Sequence, residues 1–179
     1  MDLLQSHRSA FHGLARLSPS GFDRASGESS CEVSKRAHDR NMHTPAKHLG
    51  MYLHLARASQ QRRQPLVRDR LLVLAGVLAA NMDLNPIAAY CRGEILSHNP
   101  QHLVRRWPTF GAALGDEDFQ SHHKQLKRRY PSEKVEQMLV SLGIQMARER
   151  ETYFSDYEYA AAILGTTTKR LDEQFGESE

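Results

Sequence analysis

Residues 71–80, Leu71-Leu72-Val73-Leu74-Ala75-Gly76-Val77-Leu78-Ala79-Ala80, are apolar at every position and lie between Arg68-Asp69-Arg70 and Asn81. A helix that is apolar all round must be enclosed by other elements. Ten such residues fall far short of the roughly 20 that span a bilayer, so the stretch predicts a buried rod. Gly76 at its midpoint lowers helix propensity by about 1 kcal/mol relative to alanine, a cost that predicts a close crossing by another helix. Elsewhere the apolar positions keep a helical period. Leu49, Tyr52, Leu53 and Ala56, and again Val135, Met138, Leu139 and Leu142, fall at i, i+3, i+4 and i+7, the stripe of an amphipathic helix. Nothing alternates with period two for long enough to make a strand. The fold class is therefore all-α: a compact orthogonal or bundle-like array of six to eight helices around a central buried helix.

Prolines and caps punctuate that pattern. Thr44-Pro45, Asn85-Pro86 and Asn99-Pro100 each pair a capping side chain with a proline, whose missing N–H costs nothing in a first turn. Pro65 opens the helix that holds the rod, after a basic Gln60–Pro65 linker. Leu103, Val104 and Trp107 suit a short helix stopped by Pro108, and Phe110 to Leu114 one or two turns more. Asp116-Glu117-Asp118 starts and Lys127-Arg128-Arg129 ends a helix with charges that suit the macrodipole at both ends. The run Arg148-Glu149-Arg150-Glu151 reads as an exposed helical face within 144–154. Ser155-x-x-Glu158 is a capping box, Gly165 a helix stop, and Thr168 to Phe175 a last helix burying Leu171 and Phe175. Residues 1–43, dominated by Ser, Gly, Arg and His, offer little to bury and read as a disordered tail. The domain is then 44–176.

Net charge changes the picture only when it is divided. The overall +3 resolves into +1 over 1–44, +7 over 45–130 and −5 over 131–179. A basic middle followed by an acidic end suits an acidic partner or nucleic acid, and the acidic end could also cover the basic middle within one chain or between two. Two cysteines, Cys31 and Cys91, form neither a disulfide framework nor a ligand set, which points to reduced thiols in the cytoplasm. Spacing in 3–17 is loosely that of an organellar transit helix, although Asp23, Glu28 and Glu32 soon dilute it.

Candidate chemistry is sparse. Arg105-Arg106-Trp107-Pro108 and Arg128-Arg129-Tyr130-Pro131 share a pattern. With Lys127 they form a candidate patch that could grip phosphates or an acidic peptide while an aromatic ring stacks. The same residues also make ordinary helix ends. Cys91, Glu94 and His98 share a helical face, but positions seven apart lie about 10 Å apart axially, too far for one metal ion. His102 follows a chain turn, and His122 and His123 diverge. No cofactor or metal is expected. No P-loop, dinucleotide glycine pattern, G-x-S-x-G or H-E-x-x-H occurs, so nothing nominates a catalytic residue.

Ala161, Gly165 and Leu171 resemble the small residue, turn glycine and packing residue of the helix-turn-helix family. That resemblance would offer Thr167, Thr168, Lys169 and Arg170 to a DNA groove, beside the opposing charges of Asp172 and Glu173. Ala79-Ala80-Asn81-Met82-Asp83-Leu84-Asn85-Pro86, with Tyr90, resembles the join between two tetratricopeptide repeats, which implies an antiparallel helix pair able to present a peptide groove. Gly93 stands where that family places a packing leucine, and no 34-residue period recurs. The expected function is a non-enzymatic module that binds a protein or acidic peptide through a basic central surface. The alternative is nucleic-acid binding, through the basic middle or the C-terminal hairpin. Membrane association is not expected; self-association is left open.

Overall fold

The computed structural model describes residues 30–144, 146 and 152–176, with side chains from Pro45 onward. The described residues form eight α-helices and no strand: α1 (Ser30–Gln61), α2 (Pro65–Asn81), α3 (Asn85–His98), α4 (Phe110–Ala113), α5 (Glu117–Arg129), α6 (Ser132–Ser141), α7 (Asp156–Leu164) and α8 (Thr168–Phe175). A single 3-10 turn, Leu103–Arg106, lies between α3 and α4. No helix among the described residues is long and apolar enough to cross a membrane.

The apolar rod is the buried axis. α1, α3, α4 and α5 all pack on α2, and Leu71, Val73, Ala75 and Ala79 have no exposed surface. The close approach at Gly76 is made by a ring rather than by a crossing helix backbone: a Cβ built there would lie 2.2 Å from Phe110 Cε2. Phe110, the first residue of α4, sits over the glycine and passes the packing on. Its ring centroid is 6.1 Å from that of Phe119 on α5, which in turn meets Trp107 edge-on at 5.4 Å. Away from the rod, α7 covers α1 and α8 covers α3.

Two consecutive links bring α2 back along α1 and α3 back along α2. Gln64 N–H donates to Ser59 O and Leu84 N–H to Ala79 O, both at 2.9 Å, the long-range bond of a Schellman ending. Both links place a non-glycine residue in the left-handed region, Arg63 at φ 56° and Asp83 at φ 57°. The Gln60–Pro65 linker is therefore the same kind of three-residue turn as the α2–α3 link. α6 and α7 end with the same bonds, Ile144 N–H to Leu139 O and Thr166 N–H to Ala161 O, but with Gly143 and Gly165 at positive φ.

Several boundaries differ from the sequence reading. The helix expected to start at Thr44-Pro45 begins at Ser30 and runs through Pro45, forgoing the one backbone bond that proline cannot donate. Of the tail expected over 1–43, residues 1–29 lie outside the described residues and 30–43 are backbone helix. Asn85 is the first residue of α3 rather than its cap, since Leu84 occupies that position without a side-chain bond. Asn99 starts no α-helix. Its Oδ1 accepts from Gln101 N at 3.1 Å, a local turn that competes with helix, and His102 Nδ1 caps the 3-10 turn instead by accepting from Val104 N at 3.3 Å. At α7, Ser155 Oγ accepts from Glu158 N at 3.1 Å, but Glu158 Oε2 accepts from Phe154 N at 3.0 Å. The capping box is thus displaced by one residue on its return bond. The charged run 148–151 lies outside the described residues.

One polar network is built into this apolar frame. Arg68 and Asp69 are buried at 7% and 3% exposure, and Arg68 Nε and Nη2 donate to Asp69 Oδ1 at 3.1 and 2.9 Å. Arg68 Nη1 reaches Gln60 Oε1 at 2.6 Å and Nη2 the Glu94 carbonyl at 3.3 Å. Asp69 Oδ2 pairs with His98 Nδ1 at 2.7 Å. The network ties the end of α1, the start of α2 and the end of α3 together. A buried ion pair survives only when its remaining donors and acceptors are satisfied in this way.

Candidate functional site

A cleft of about 320 Å³ opens where α1, α2, α5 and the start of α6 meet. Its floor comes from α2, through Leu74, Val77 and Leu78, with Asn81 at the rim. Those four positions are i, i+3, i+4 and i+7, so they share one helical face. His48 and Tyr52, one turn apart on α1, form one wall, and His123 and Lys127, one turn apart on α5, form the other.

The polar groups of the cleft are held in place. The Tyr52 hydroxyl donates to the Tyr130 carbonyl at 3.0 Å, and burial first, then the Glu133 charge, pushes its ionisation up. The His123 ring stacks on Phe119 at 6.3 Å. Burial, with help from Lys127 and His122, pulls its pKa down to about 4. His123 is therefore a neutral, polarisable wall at physiological pH, and Lys127 beside it carries the charge. Lys127 is exposed. On the opposite side, Lys47 of α1 and Glu136 of α6 are bonded at 2.5 Å, which holds α6 against α1 near the cleft.

Ten of the thirteen cations of the basic middle fall into two groups; of the other three, Arg62 and Arg63 are exposed in the α1–α2 link and Arg70 is half-buried. Lys47, Arg57, Arg68, Arg92, Arg105 and Arg106 are engaged with carboxylates, a side-chain amide or carbonyl oxygens. Lys124, Lys127, Arg128 and Arg129 on α5 are exposed and have no ion pair among the described residues. Residues 124, 127 and 128 share one face of α5, so this half-helix is a cationic surface flanking the cleft.

The two arginine–aromatic segments do not converge. Trp107 packs on Phe119 in the first turn of α5, whereas Tyr130 caps the other end of that helix. Eleven residues of helix separate those points, about 16 Å along the axis. Arg105 Nη1 donates to Gln101 Oε1 at 3.0 Å, and Arg106 Nη1 to Asp118 Oδ2 at 3.2 Å. Tyr130 is buried at 5% exposure, so it presents no open ring on which to stack a base. Arg105, Arg106, Lys127, Arg128 and Arg129 are all exposed, but only the three on α5 have side chains without a hydrogen-bond or ion-pair partner among the described residues.

The C-terminal hairpin is formed by α7 and α8. Ala161 and Leu171 are buried and Gly165 is left-handed. Thr167 Oγ1 caps α8 by accepting from Arg170 N at 3.3 Å. Thr168 O accepts from the Tyr157 hydroxyl at 3.4 Å, and Lys169 lies 3.8 Å from Glu173. The exposed face of α8 carries Lys169 and Arg170 together with Asp172 and Glu173, a mixed rather than a basic surface.

The histidines and cysteine weighed as ligands lie apart. Cys91 is fully buried, and desolvation pushes its thiol up to about 12, which removes the thiolate that metal binding or nucleophilic attack requires. His98 is committed to Asp69. His102 and His122 meet edge-on at 6.2 Å, and burial depresses the pKa of both. Among the described residues, no group of three His, Cys, Asp or Glu side chains is arranged to hold a metal ion.

The sequence reading missed the cleft itself. Its floor stripe is invisible within a rod that is apolar on every face; only the placement of α1, α5 and α6 around it singles it out. His48 and Asn81 carry no local signal. Comparison with protein-family models, with curated proteins and with solved structures returns no match for this chain.

Proposed function

We propose that this chain is a non-enzymatic interaction module whose α1–α2–α5 cleft seats an acidic segment of a partner protein. The observation that carries this reading is the juxtaposition of an apolar floor, in which half-buried Leu78 lies beside buried Leu74 and Val77, with Lys127 on the rim and, on the same face of α5, the exposed cations Lys124 and Arg128, which have no ion pair among the described residues. An aliphatic side chain of the partner would cover the floor while flanking carboxylates meet the cations. Such charges accelerate encounter and select the partner, and the apolar contact supplies the residence time.

A fluorescein-labelled peptide with one leucine between glutamates tests this on the full chain. Binding should weaken as salt rises, and Lys127→Glu should weaken it at least tenfold, about 1.4 kcal/mol. Asn81→Trp, which fills the cleft from an exposed rim position, should abolish it. A basic surface also attracts nucleic-acid phosphates, and labelled duplex and single-stranded DNA separate the two. Phosphate binding would survive Asn81→Trp because it needs the α5 cations but not the floor. Retention of DNA and not of the peptide would replace the reading with nucleic-acid binding; retention of neither at low salt would remove both.

A further inference from the structure

A second cleft, of about 360 Å³, lies on the other side of α3's first turns, where the end of α2, the Pro108–Gly111 segment and Phe175 of α8 meet. We propose that it binds a small apolar monocarboxylate, an aryl or alkyl acid. It shares no lining residue with the α1–α2–α5 cleft and does not depend on the acidic-segment reading.

The room is made by small residues, Ala80, Ala88, Ala89 and Gly111, and the apolar walls by Phe110 and Phe175. The Phe110 wall is rigid because the ring is wedged over Gly76. The volume is more than twice the roughly 150 Å³ of an apolar cavity that accepts benzene. Arg92 alone brings charge to the lining, and no lining residue is acidic. Its Nε donates to the Trp107 carbonyl at 3.0 Å, which fixes the plane of the guanidinium. Neither Nη atom has a hydrogen-bond or ion-pair partner among the described residues.

An oriented guanidinium with its Nη donors unused matches a carboxylate. The other polar lining groups add no second cation: the Thr109 hydroxyl is engaged in capping α4 through Ala112 N at 3.1 Å, and Asn85 is neutral. One positive charge among apolar walls compensates a monoanion, whereas a phosphate dianion would keep a second charge uncompensated against those walls. Pockets of this kind, mostly apolar with one precisely held polar group, are the usual form of small-ligand sites.

The test is a titration of the full chain with 2-naphthoate, followed by calorimetry and by amide chemical shifts. Binding is expected in the sub-millimolar range, as befits a ligand of this size, with shifts centred on Ala88, Ala89 and Gly111. 2-Naphthamide, nearly isosteric but neutral, and 2-naphthyl phosphate should each bind at least tenfold more weakly. Arg92→Gln should lose at least tenfold, and Ala89→Leu, which fills the space while keeping the arginine, should abolish binding. Equal affinity for acid and amide would overturn the proposal, as would shifts confined to other regions, undiminished binding in Ala89→Leu, or no binding at millimolar naphthoate. Circular dichroism establishes that each variant is folded; if Arg92→Gln is not, the acid–amide comparison and Ala89→Leu decide the matter.

Discussion

Gly76 and Phe110 are a matched pair 34 residues apart in the chain. The ring occupies the space that any side chain at 76 would need, at 2.2 Å from the Cβ position. Phe110 is 2% exposed and has nowhere to go. Gly76→Ala gains about 1 kcal/mol of helix propensity but incurs overpacking of about 1–3 kcal/mol. Net destabilisation is the expected outcome, read from urea unfolding midpoints. Phe110→Ala alone should cost about 3–5 kcal/mol through the cavity it leaves. In that background Gly76→Ala should become neutral or stabilising, and purely additive effects in the double-mutant cycle would refute the pairing.

At the scale of the element, the helix endings carry the lesson. Four helices close with the same backbone bonds, yet two use glycine in the left-handed position and two use Arg63 and Asp83. Aspartate tolerates that region through local hydrogen bonding, whereas arginine bears a cost of about 1–2 kcal/mol for its Cβ. Arg63→Gly should therefore stabilise the protein, by about 0.5–1 kcal/mol after the glycine's larger entropy loss, seen as a higher thermal midpoint. An unchanged or lower midpoint would show that Arg63 contributes something besides its backbone. Endings with glycine were legible: Gly165 was expected to stop its helix and does. The Arg63 ending was not, because no residue preference announces a left-handed arginine. The start of α1 escaped for the converse reason, since Thr44-Pro45 has every local mark of an N-terminus and the helix nonetheless continues to Ser30.

For the molecule as a whole, partly buried imidazoles link stability to pH. His123 has a folded pKa of about 4 against an ordinary 6.5, mainly because burial disfavours its charged form. His102 and His122 are lowered for the same principal reason. Well above pH 6.5 these rings are neutral in both states and contribute no pH dependence. As pH falls through 6.5 the unfolded chain takes up the protons first, so stability is lost down to about pH 4 and then levels off with respect to His123. Urea midpoints between pH 7 and 4.5, above the main range of the carboxylates, should decline, and His123→Gln should flatten that decline. Parallel slopes for the two proteins would contradict the assignment.

The chain's own pattern settled that the protein is all-helical around residues 71–80, because a run apolar on every face has no stable place except inside. It also settled most helix limits, since proline, glycine and capping side chains act within a turn of where they stand. Which cations have no partner among the described residues, which face of the rod borders the cleft beside Lys127, and where Arg92 meets Phe110 and Phe175 were decided by tertiary packing alone. Those facts depend on distances between segments far apart in sequence, and no local preference encodes them.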